Sequence, residues 1–100
     1  MSDPNGQAFF AIHAAKAVTD RLKQIIQSSK DGKKVVACLK AIYTRLRRDP
    51  DVFGEALFTY KKSNLHFRLG AIAPLAVRYA VDLENRRVVI QGFSEMLGST

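Results

Sequence analysis

Apolar residues in the N-terminal half recur at helical spacing from about His13 onward. Ala15, Val18, Leu22, Ile25 and Ile26 follow the i, i+3, i+4 rule, and Lys16, Asp20, Lys23 and Gln27 fall outside that stripe. Ser28, Ser29 and Lys30 interrupt the pattern, and Asp31 is a good N-cap for a second helix. Val35, Val36, Leu39, Ile42, Tyr43 and Leu46 form the second stripe. It ends before Asp49-Pro50, because a residue preceding proline resists helical dihedrals. Two helices with so short a connection form an antiparallel hairpin. Ahead of them, Gln7 to Ile12 is a short apolar run that suits a brief strand or the lead-in to the helix.

After Pro50 the period drops to two. Leu65, Phe67 and Leu69 alternate with Asn64, His66 and Arg68, which reads as a half-buried strand over 64–69. Over 75–83, Leu75, Val77, Tyr79 and Val81 alternate with Ala76, Arg78, Ala80 and Asp82. Glu84-Asn85 makes a hairpin turn into Arg87–Phe93, whose β-branched content predicts a strand covered on both faces or at the sheet centre. The order is (β)ααβββ, an α+β fold with a helix hairpin on one face of an antiparallel sheet and the other face open. Alternation then predicts that Leu65, Phe67 and Leu69 pack on the helices, leaving His66, Arg68 and Arg78 together on the open face.

One hundred residues suffice for one domain, read as a flexible tail over 1–6 and a single domain over 7–100. With 47% hydrophobic and 25% charged residues the composition is that of a globular chain. A single cysteine, Cys38, excludes an internal disulfide framework and a thiolate-rich zinc site. No apolar run reaches membrane-spanning length, and residues 1–6 do not read as an export signal, so the expectation is a cytoplasmic protein with no membrane contact. No phosphate-binding glycine loop, paired-carboxylate site or metal-spaced cluster is present, and no cofactor is expected.

Charge changes this picture. The net charge is +7, and it is unevenly placed. Lys16 to Arg48 holds ten basic residues and two acidic ones, a local +8, whereas 49–100 holds six of each. Such an excess favours a polyanionic or acidic partner. Lys33, Lys34, Arg45, Arg47 and Arg48, with Lys61 and Lys62 further on, are the candidate RNA contacts. Those of residues 16–48 equally suit the solvated backs of two amphipathic helices.

Several local words resemble the RelE/ParE toxin superfamily of bacterial toxin–antitoxin modules. Leu46-Arg-Arg-Asp-Pro50, followed by Gly54 and Leu57, is similar to a family passage at a helix end. Leu65-His-Phe-Arg-Leu69 and Val77-Arg-Tyr-Ala-Val-Asp82 resemble its strand–loop–strand segment, and Arg87-Val-Val-Ile90 its last apolar strand. The resemblance spans roughly residues 7 to 95 in order of elements. It implies one of two activities: cleavage of messenger RNA on the ribosome, as in RelE-like members, or non-enzymatic inhibition of DNA gyrase, as in ParE-like members. Both imply an antitoxin partner, here expected to be acidic.

Carried over by position, His66 and Arg68 match two basic positions of the first long strand in RelE-like nucleases. His66 would move a proton, and Arg68 and Arg78 would hold the phosphate. The arginine usual three residues before the strand tyrosine falls on Ala76, and Arg78 lies about 6–7 Å further along the same face. The family's C-terminal Arg/Tyr set has no counterpart in Ser94–Thr100. The His66/Arg68 pair favours an endoribonuclease; the missing set favours a non-enzymatic binding protein, of gyrase-inhibitor type or an inactive relative.

Overall fold

A computed structural model describes residues 9–62 and 64–96 and lays two helices over one face of a five-stranded sheet. The chain order is β1 (Ala11–Ala14), α1 (Lys16–Ser28), α2 (Gly32–Arg48), β2 (Glu55–Tyr60), β3 (Leu65–Ile72), β4 (Leu75–Asp82) and β5 (Arg87–Glu95). The sheet order is β1-β5-β4-β3-β2, antiparallel except where β1 runs parallel to β5. The α+β architecture with a helix hairpin on a mostly antiparallel sheet is as the sequence predicts. The expected tail at 1–6 lies outside the described residues.

Each helix buries the stripe its spacing marks. α1 buries Leu22 and Ile25; α2 buries Val35, Cys38, Ile42 and Leu46. The Asp31 carboxylate accepts from the Lys34 amide at 3.1 Å, capping α2. Opposite them, Leu75, Val77, Tyr79 and Val81 of β4 and Val88, Ile90 and Phe93 of β5 complete the core. The Cys38 thiol donates to the Ala73 carbonyl at 3.2 Å.

The structure settles or corrects four expectations. His13 does not open the first helix: it lies in β1, and α1 begins three residues later. β1 occupies Ala11–Ala14 because a parallel partner is available at Arg87–Ile90, which local periodicity cannot reveal. β5 lies inside the sheet between β1 and β4, but it is not covered on both faces; Val88, Ile90 and Phe93 are buried, whereas Arg87, Val89 and Gln91 are exposed. And β2 is an additional strand, pairing antiparallel with β3, with Leu57 as an extra residue in a bulge between Ala56 and Phe58.

The additional strand matters because β2 stands at the edge and Phe53-Gly54 leads into it. Gly54 has φ of +74°, and a Cβ there would lie 2.5 Å from the Leu69 carbonyl oxygen. Only glycine accepts that backbone at that distance. The Phe53 ring in turn lies against Gly70, where any side chain would collide with it.

Candidate functional site

Cross-strand partners in a sheet share a face, and β4 shows which face is which. Tyr79 and Val81 are fully buried against the helices. Arg68 is the partner of Tyr79 and His66 is the partner of Val81, so both point to the helix side. Leu65, Phe67 and Leu69 pair with Asp82, Ala80 and Arg78 and therefore occupy the open face. The expected facing of β3 is inverted. Of His66, Arg68 and Arg78, only Arg78 stands on the open face.

The loop before β2 matches the inverted facing. The loop Pro50–Gly54 folds beneath the end of β3 and presents backbone carbonyls that need donors. Arg68 supplies them: Nε donates to the Phe53 carbonyl at 3.0 Å and Nη2 to the Gly54 carbonyl at 2.8 Å. The buried Tyr79 hydroxyl bonds to the Pro50 carbonyl at 2.8 Å and also to the Phe53 carbonyl. Burial raises the Tyr79 pKa, and the neighbouring Arg68 guanidinium partly offsets that rise. Phe53 itself is buried between the Tyr79 ring, stacked at 6.2 Å, and the Arg45 guanidinium at 5.1 Å. Arg68 is thus a fastener of the loop, with its guanidinium committed to two backbone carbonyls on the helix side of the sheet.

His66 Nδ1 lies 3.2 Å from the Thr59 hydroxyl on the neighbouring strand. Arg78 is three residues from His66's partner Val81, about 10 Å along the strand, and on the other side of the sheet. A proton-transfer group and a charge stabiliser must reach one phosphate together. These two cannot. Arg78 lies in a shallow cavity of about 290 Å³ with Leu69, Gln91, Gly92 and Ser94, and has no hydrogen-bond or ion-pair partner among the described residues.

The basic residues do not form one patch either. Lys33 and Lys34 lie in the first turn of α2 and Arg47 and Arg48 in its last, about 20 Å apart by helical rise. Arg45 is paired with Asp49 at 2.9 Å, which raises its pKa, and Arg47 lies 6.0 Å from the Tyr43 ring. Lys61 and Lys62 are on the β2–β3 turn. What remains is a helix-hairpin back on which Lys23, Lys33, Lys34, Lys40, Arg47 and Arg48 are all exposed.

The open face is more apolar than alternation predicts. Phe58, Phe67, Ala80, Val89 and His13 form one row across all five strands. Phe58 and Phe67 stack at 4.5 Å, and Phe58 is 58% exposed. The Phe53 loop lock and this aromatic pair escaped the sequence reading. The signals for them were Pro50 and Gly54 flanking Phe53, and the uncharged stretch 56–60 between Glu55 and Lys61.

Among the described residues no group of three His, Cys, Asp or Glu side chains could hold a metal ion, and no helix is long and apolar enough to cross a membrane. No family model and no curated protein sequence matches this chain.

Proposed function

We propose that this chain is a non-enzymatic binding protein of the RelE/ParE-like kind, acting by contact with a macromolecular partner in the cytoplasm. The observation that carries this reading is the engagement of Arg68. Its guanidinium is committed to the Phe53 and Gly54 carbonyls on the helix side, while Arg78 lies on the opposite face. A ribonuclease site built from His66, Arg68 and Arg78 lacks the convergence that in-line attack on a phosphodiester requires.

The local +8 of residues 16–48 supports an acidic partner surface, and an acidic antitoxin fits it by charge. The helix-hairpin back is the candidate contact, because Lys23, Lys33, Lys34, Lys40, Arg47 and Arg48 are exposed and extended over two helices. RNA cleavage on the ribosome is the second reading, kept by Arg78 on the open face, which has no partner among the described residues.

The experiment is expression of the wild type with growth and ribosome-bound message followed together. Growth arrest with intact message is the expected result. Message cleavage that falls by about 100-fold or more in His66→Ala would instead restore the nuclease reading.

A further inference from the structure

β2 is an edge strand, and its outer side meets no other strand of the described chain. Natural edges are usually guarded by charge, proline or a bulge that turns the strand away. Here the run Ala56-Leu-Phe-Thr-Tyr60 contains no charge and no proline. It does contain a bulge, but the bulged residue is Leu57, which is 46% exposed and puts an apolar knob at the centre of the edge. Next to it, Phe58 is the most exposed phenylalanine among the described residues, and its inner face is already covered by Phe67.

The charges flanking this run have opposite signs. Glu55 opens the strand, and Lys61 and Lys62 follow its end. In an antiparallel pair of two β2 strands, the start of each lies beside the end of the other. Each Glu55 is then set beside the lysine pair of the second copy. A parallel pairing would instead place lysines on lysines. The edge is therefore self-complementary in one direction only, and a two-fold axis near Leu57 and Phe58 closes the assembly after one partner.

We infer that β2 is the dimerisation edge of this protein, pairing antiparallel with β2 of a second copy to join two five-stranded sheets. The Phe67–Phe58 stack of each copy then continues across the axis, and both Leu57 side chains become buried. This inference is independent of the functional reading above, because it uses none of the helix-hairpin residues.

The test is sedimentation equilibrium of the full chain from about 1 to 200 µM, where a self-associating protein shifts in mass with concentration. Wild type is expected to reach the dimer mass. Leu57→Lys should weaken association by about 100-fold or more, since it removes apolar burial twice per dimer. Its circular dichroism should be unchanged, because Leu57 is exposed in the single chain. Glu55→Lys should weaken association by roughly 3- to 10-fold through repulsion from the lysine pair. The triple variant Glu55→Lys, Lys61→Glu, Lys62→Glu should recover it. Three results would overturn the inference: a wild type monomeric at every concentration, a dimer indifferent to Leu57→Lys, or a triple variant no tighter than Glu55→Lys alone.

Discussion

Arg68 and Tyr79, directly opposite each other on β3 and β4, both bond to the carbonyl of Phe53. Neither is near Phe53 in sequence. Their shared acceptor ties the loop after α2 to the middle of the sheet and holds Gly54 at the turn into β2.

Arg68 and Arg78 separate structural from surface roles. Arg68→Ala leaves the Gly54 carbonyl without its side-chain donor and should cost about 1–2 kcal/mol in urea unfolding, given its partial burial. Arg78→Ala, exposed and unpartnered among the described residues, should stay within about 0.5 kcal/mol of wild type. Equal losses in the two variants would contradict the loop-fastening role.

Tyr79→Phe should destabilise by about 1–2 kcal/mol, because the Pro50 carbonyl loses its hydroxyl donor in a buried setting. It should also change behaviour in alkali. The folded pKa of Tyr79 is raised above its ordinary 10.0 by burial, with Arg68 opposing. A raised pKa gives stability that is complete below about 10 and lost as pH rises through the folded value. Melting temperatures measured from pH 8 to 11 should therefore fall more steeply in wild type than in the Phe variant.

Three glycines should respond in different ways to alanine. Gly70→Ala puts a methyl into the buried Phe53 ring and should cost about 1–3 kcal/mol. Gly54→Ala meets both the +74° backbone and the Leu69 carbonyl, and should be at least as damaging. Gly92→Ala enters open space and should be silent within about 0.5 kcal/mol. Thermal melts of the three variants make the comparison.

Asp82 sets the acid limb. Its carboxylate accepts from the Asn85 side chain at 2.9 Å and the Asn85 amide at 3.1 Å, and pairs with Arg87 at 3.1 Å. These bonds hold its pKa below the ordinary 3.8, those from Asn85 being the larger cause and burial opposing them. A depressed pKa gives stability present above about 3.8 and lost as pH falls through the folded value. Asp82→Asn should be less stable at neutral pH and flatter between pH 5 and 2 in the same melts.

The sequence alone determined the two helices, the strands at β3, β4 and β5, and the inner face of β4. Those depend on periodicity, and Leu75, Val77, Tyr79 and Val81 leave no ambiguity because their alternates include Arg78 and Asp82. β3 was different. Both of its faces carry groups that can be satisfied inside: Leu65, Phe67 and Leu69 by apolar contact, His66 and Arg68 by hydrogen bonds. Alternation separates two faces but does not say which one is inward. The decision came from the register with β4, and from a loop nearly fifteen residues away in sequence whose carbonyls Arg68 could reach. β1 and β2 were set in the same way, by partners that exist only after folding: β1 by Arg87–Ile90, β2 by the outer side of β3. Local spacing encodes which residues share a face; only long-range pairing decides what that face meets. That is why His66, Arg68 and Arg78, aligned on one side in the sequence pattern, end on two sides of the sheet.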